Sequence, residues 1–148
     1  MNILIVEDDS FKARQLYDAV IDFCKDAIVV HVTSLQDAID VLYQDSFNAI
    51  LLDMAIPSHS DEGGSSDVYS QPVGGLDVLL YLSYDQRPEK VMVLTQYPTI
   101  EYNRQHVPLA KFSAQLEADG VKNLTSLSFF GEDGFWRERL NSFLGSVI

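Results

Sequence analysis

Residues that could do chemistry stand at three places in the chain, each directly behind a short apolar run. Glu7, Asp8 and Asp9 follow Ile3-Leu4-Ile5-Val6. Asp53 follows Asn48-Ala49-Ile50-Leu51-Leu52 and is itself followed by Met54-Ala55-Ile56-Pro57. Thr95 follows Val91-Met92-Val93-Leu94. Two like charges about 4 Å apart repel by on the order of 4 kcal/mol at an effective dielectric near 20. Carboxylates brought together therefore call for a cation. Carboxylates, a backbone carbonyl and water are hard oxygen ligands suited to Mg²⁺. A positioned carboxylate such as Asp53 can attack a phosphoryl group and form an aspartyl phosphate. The hydroxyl of Thr95 could then donate to the transferred oxygens.

The apolar runs are the elements that must bring these groups together. Short continuous runs bounded by turn signals read as strands buried on both faces, as in parallel sheets. Such strands are expected at 3–6, 27–33, 48–52, 91–94 and 124–130. Between them lie helical patterns. Phe11, Leu16, Val20 and Phe23 share a face behind Ser10 as a cap. Ser34 and Asp37 open a helix carrying Leu35, Ala38, Ile39 and Leu42. Further helices are expected at 76–84, at 109–118 behind Pro108, and at 134–147 with Phe135, Leu140, Phe143 and Leu144. Five alternating strands imply a doubly wound parallel sheet with helices on both faces, and ligand chemistry gathers at the carboxyl ends of its strands. Glu7, Asp8, Asp53 and Thr95 all arrive at that edge.

At 148 residues with 47 % hydrophobic content the chain fits one domain. A net charge of −12 argues against a nucleic-acid backbone or an anionic membrane as partner and permits a divalent cation or a basic protein surface. The apolar start lacks a basic region, and no run is long enough to span a membrane, so a reducing cytoplasm is expected. The lone Cys24 is read as a buried packing residue on a helix face.

The series Ile-Val-Glu7-Asp8-Asp9, Leu-Leu-Asp53-Met-Ala-Ile-Pro57, Gly74-Gly75-Leu-Asp-Val-Leu-Leu80 and Val-Met-Val-Leu-Thr95 resembles the receiver domain of two-component response regulators. The resemblance covers roughly the first two-thirds of the chain. It implies a five-stranded flavodoxin-like (CheY-like) fold, and it implies a phosphoacceptor rather than an enzyme. By motif position Asp53 would be the phosphoacceptor and Thr95 the switch hydroxyl. Glu7, Asp8, Asp53 and the backbone carbonyl of Ala55 would hold Mg²⁺, and Pro57 would shape the loop after the acceptor. The implied partners are a histidine kinase or phosphotransfer protein and a downstream protein, with a homodimer possible.

The sequence departs from this family at the fifth strand. Receivers usually carry a Lys-Pro pair at its end, where the Lys pairs with the phosphate; here the region reads Leu124-Thr-Ser-Leu-Ser-Phe-Phe-Gly131. Lys122 precedes the strand, at the wrong end; Lys111 could reach in, but the favoured reading is that it does not. The expected organisation is a single receiver over 1–148, with an inserted loop at about 58–75 and no output domain. His59, Asp61 and Glu62 in that loop are read as solvated residues in preference to metal ligands or a lid. His31 is read as packing, His106 as surface and Trp136 as core. For Trp136 the sharper alternative is a protein contact, because receivers often signal through the face of the fourth helix, fifth strand and last helix. Two other functions stay open: a pseudo-receiver that binds partners without phosphorylation, and a metal-dependent phosphohydrolase. One large phosphohydrolase family uses Asp-x-Asp, and Ala55 stands where its second Asp would be.

Overall fold

The computed structural model describes residues 1–60 and 74–147. Five strands form one parallel sheet: β1 (Asn2–Val6), β2 (Ile28–Val32), β3 (Ala49–Leu52), β4 (Lys90–Thr95) and, numbered after a hairpin, β7 (Leu124–Phe129). Their order is β2-β1-β3-β4-β7. This is the doubly wound flavodoxin-like arrangement, with its switch point between β1 and β3. Alternate residues of the three inner strands feed two cores. Leu4, Val6, Ile50, Leu52, Val91 and Val93 pack with the buried faces of α2 (Leu35–Gln44), α3 (Gly74–Tyr84) and α4 (Leu109–Ala118). Ile3, Ile5, Ala49, Leu51, Met92 and Leu94 pack with α1 (Ser10–Phe23) and α5 (Phe135–Ser146). Burial on both faces is the reason these strands read as unbroken apolar runs.

Several helix faces differ from their sequence reading. Asp9, not Ser10, caps α1: its side chain accepts from the backbone N–H groups of Phe11 and Lys12. The helix therefore starts at Ser10, and its inward face is Lys12, Ala13, Leu16, Ala19 and Val20. Phe11 is 73 % exposed, because it lies one position off that face. Phe135 is likewise exposed, while Trp136 is buried and stacks on Phe130, which rules out a surface role for its ring. Cys24 is half-buried at the C-cap of α1, outside the helix proper. Ser34 caps α2 as expected, accepting from the N–H of Asp37.

The stretch after Thr95 holds an antiparallel hairpin that the sequence reading missed, β5 (Thr99–Tyr102) with β6 (Gln105–Pro108). Asn103 and Arg104 both have positive φ, 53° and 64°, as a two-residue turn with the twist of a hairpin requires. Ile100, Tyr102 and Val107 point into the core, and Tyr102 meets Phe112 of α4 edge-on. The alternation of Ile100 and Tyr102 ahead of Asn103 was a usable signal. It was hidden by a turn sequence without glycine and by the flanking Pro98 and Pro108.

The amino-terminal edge of the sheet is tied by Arg87. Its guanidinium donates to the carbonyls of Leu42 and Asp45 at the end of α2, and it pairs with the buried Glu89 at 2.6 Å. Asn123 Nδ2 donates to the carbonyls of Arg87 and Glu89, both at 2.8 Å, which joins the start of β7 to the start of β4. Removing one partner of a buried ion pair strands the other. Arg87→Ala is expected to cost about 3 kcal/mol in urea unfolding, and Arg87→Met with Glu89→Leu should recover most of that loss. A loss under about 0.5 kcal/mol, the scale of an ordinary surface substitution, would contradict this reading.

Candidate functional site

The register of the parallel sheet builds the site. Val6 pairs with Leu52 and Leu52 with Val93, so Glu7, Asp53 and Thr95 leave three neighbouring strands at one edge. The N–H of Asp53 still donates to the carbonyl of Val6, and that of Glu7 to Val32, so the backbone carrying both acids is held by the sheet. Asp53 is 8 % exposed. Glu7, Asp8 and Asp53 each present an oxygen, and these oxygens lie within 4.8 Å of one another. Thr95 is buried, and its Oγ1 accepts from the N–H of Tyr97 at 3.1 Å.

The loop after Asp53 is clamped by two helix starts. The N–H groups of Gly75 and Gly74 in α3 donate to the carbonyls of Met54 and Ile56. Those of Leu35 and Gln36 in α2 donate to Pro57 and Ser58. Four carbonyls between 54 and 58 are thus taken by helix N-termini. Ala55 lies between them, and among the described residues no backbone N–H donates to its carbonyl. The glycines are a steric requirement. A Cβ on Gly75 would stand 2.5 Å from the Asp53 carbonyl oxygen and the Met54 Cα, so a side chain there would displace the segment that carries Asp53.

The cation at this edge is Lys12. Its side chain is 3 % exposed and reaches from the first turn of α1 into the cluster. Nζ lies 2.8 Å from Glu7 Oε2 and 3.4 Å from Asp53 Oδ1, and it donates to the carbonyl of Leu94 at 2.7 Å. It also sits 5.3 Å from the centre of the Phe130 ring. The sequence reading missed Lys12 because it treated the first turn of α1 as a cap followed by an apolar face. The capping geometry at Asp9 was the signal that would have turned position 12 inward. Lys111 and Lys122 are both exposed, so Lys111 is not the residue that fills the gap. His31 approaches the Glu7 carbonyl at 2.7 Å through a ring nitrogen, and His106 is exposed. The inserted loop read at 58–75 ends earlier, because Gly74 and Gly75 belong to α3. Its residues 61–73, with Asp61 and Glu62, lie outside the described residues.

Burial pushes the Glu7 carboxyl up to about 7; Lys12 opposes that rise and Asp53 adds to it. Asp8 is raised first by burial and then by Asp53. Glu7 Oε1 accepts from the N–H of Asp9. Oε2 has its ion pair with Lys12 but no hydrogen bond. Three carboxylates and one ammonium leave a net charge of −2 when all are ionised. Hard oxygen donors, an under-satisfied buried oxygen and that residual charge together fit a divalent cation such as Mg²⁺.

No protein-family model matches the chain. It is 32 % identical to the Detocs response regulatory protein DtcB of Vibrio alginolyticus, across 97 % of this chain and 99 % of that protein. The chain therefore belongs to the response-regulator receiver family of two-component signalling. A CheY-like receiver domain from Methylobacillus flagellatus shares the fold with a TM-score of 0.61 at 17 % identity, over 100 % of this chain and 98 % of that one. A signal receiver domain from Vibrio parahaemolyticus gives a TM-score of 0.64 at 20 % identity, over 99 % and 88 %.

The raised carboxyl of Glu7 makes stability depend on pH. In the unfolded chain Glu7 loses its proton near 4.5, whereas in the fold it keeps it to about 7. Between those values the native state binds more protons, so this group's contribution to stability falls as pH rises. In chelator, the melting temperature of Glu7→Gln relative to the parent should rise by several degrees from pH 5 to pH 8. A constant or falling difference would contradict the assignment.

Proposed function

We propose that this receiver is phosphorylated on Asp53 in a Mg²⁺-dependent reaction and signals by protein contact. The observation that carries the reading is the near-buried Asp53 at the carboxyl end of β3, with Glu7 and Asp8 close by. An oxygen of Asp53 attacks the phosphorus of a phosphohistidine on a kinase or phosphotransfer protein. A P–O bond forms and the P–N bond breaks; the imidazole nitrogen leaves with the electron pair and takes up a proton. Asp8, Asp53 and the Ala55 carbonyl, with Glu7 behind them, would hold Mg²⁺, which supplies positive charge against the equatorial phosphoryl oxygens. Thr95 is the hydroxyl that donates to the phosphoryl group, which requires it to release the N–H of Tyr97 or to share its oxygen. On this reading the chain is one receiver and a phosphoacceptor, not a turnover enzyme. Among the described residues no helix is long and apolar enough to cross a membrane.

A second reading has its own observation. Lys12 already compensates part of the acidic charge, so the protein itself meets some of the repulsion that a metal would otherwise meet. That favours a pseudo-receiver, which binds its partner in one state. Intact mass separates the two. After incubation with Mg²⁺ and acetyl phosphate, or with a histidine-phosphorylated kinase of the same system, the parent should gain one phosphoryl group. Asp53→Asn should gain none, and chelator should abolish the gain. A parent unchanged by either donor would establish the pseudo-receiver.

A further inference from the structure

We propose that Lys12, delivered by α1, is the ammonium that pairs with the phosphoryl group on Asp53. The inference rests on Asp53 being the acceptor and adds a residue to that site. A buried lysine is costly unless its charge is matched, and Lys12 is matched on several sides by groups of different kinds. The Leu94 carbonyl at 2.7 Å takes one proton of the ammonium. Glu7 Oε2 at 2.8 Å supplies the counter-charge. The Phe130 ring, itself stacked on Trp136, closes a further side. Asp53 Oδ1 stands at 3.4 Å, the longest of the three oxygen contacts. An ammonium has three donors. The Leu94 hydrogen bond uses one, the 2.8 Å ion pair with Glu7 holds a second by charge alone, and a third is left for Asp53 Oδ1 at 3.4 Å.

Phosphorylation changes this corner in a definite way. The Asp53 carboxylate becomes an acyl phosphate, so the negative charge facing Lys12 moves from the carboxylate to the phosphoryl oxygens. The third donor then follows that charge. The end of β7 reads Ser128-Phe129-Phe130-Gly131, without a cation, and Lys111 and Lys122 are exposed. Phe130 does not replace the ammonium. Its N–H donates to the Thr95 carbonyl at 2.7 Å, which fixes the ring as the wall against which Lys12 rests. The cap at Asp9 fixes the lysine from the other end, since its carboxylate accepts from the N–H of Lys12 at 3.2 Å.

A purely structural lysine would steady the three acids and nothing more. The two roles separate on the sign of two affinities. Removing a positive charge beside carboxylates should leave Mg²⁺ binding equal or tighter. Removing a charge-assisted hydrogen bond to a phosphoryl oxygen should weaken anything that occupies that place, by about tenfold to a hundredfold. The probes are Mg²⁺ alone, then beryllium fluoride with Mg²⁺, read by the fluorescence of Trp136, which lies behind Phe130. Intact mass with acetyl phosphate follows loading and decay of the phosphoryl group.

Lys12→Met should fold, bind Mg²⁺ at least as well as the parent, bind beryllium fluoride at least tenfold more weakly and load correspondingly more slowly. Should the methionine beside Glu7 cost the fold, Lys12→Gln keeps a donor toward Glu7 without the charge and carries the same expectation. A variant that loads and binds beryllium fluoride like the parent overturns the role of Lys12 while leaving Asp53 as acceptor. Parallel loss of Mg²⁺ and beryllium fluoride binding also overturns it, in favour of a structural lysine. A parent that takes neither phosphoryl group nor beryllium fluoride removes the acceptor reading, and the proposal with it.

Discussion

One buried ammonium makes the acidic edge of this sheet tolerable. Glu7, Asp8 and Asp53 are brought within 4.8 Å by strand register, and the register cannot relax, because each strand is buried on both faces. The repulsion must therefore be met locally. Lys12 meets part of it, and a divalent cation can meet the rest. The placement of Lys12 depends in turn on the Asp9 cap, which sets where α1 begins, and on Leu94, Phe130 and Trp136, which form its seat. A single charge thus links α1, β1, β3, β4 and the end of β7.

The loop after Asp53 is organised by a related economy. The carbonyls of Met54, Ile56, Pro57 and Ser58 are consumed by the first turns of α2 and α3. Helix N-termini carry unpaired N–H groups and a partial positive charge, so they grip carbonyls and favour nearby anions. Gly74 and Gly75 let α3 approach closely enough to do this. Asp53 is consequently held by the sheet behind it and by two helices ahead of it. That rigidity suits a phosphoacceptor, the role proposed for Asp53.

The fold was legible because its inner strands are unbroken apolar runs, each ending at the sheet edge where the acids and Thr95 gather. The acids and Thr95 were legible for the same reason: the end of a buried parallel strand is a defined place. What the sequence hid is instructive. Lys12 follows Phe11, and a reader who assigns Phe11 to the buried face turns the lysine outward. A shift of one residue in the helix start reverses both. The hairpin at Thr99–Pro108 was hidden because positive φ at Asn103 and Arg104 is borne by residues that do not announce it as glycine would. The missing lysine at the end of the fifth sheet strand looked like a lost function; in three dimensions a cation stands at that edge, supplied from another element.

The most direct test of this account is a crystal structure with Mg²⁺ and beryllium fluoride bound. The account predicts the fluoride adduct on Asp53, the metal on Asp8, Asp53 and the Ala55 carbonyl, and Lys12 Nζ within hydrogen-bond reach of a fluorine. An adduct on Asp53 with Lys12 still confined to Glu7 and the Leu94 carbonyl, and no contact to fluorine, would contradict it.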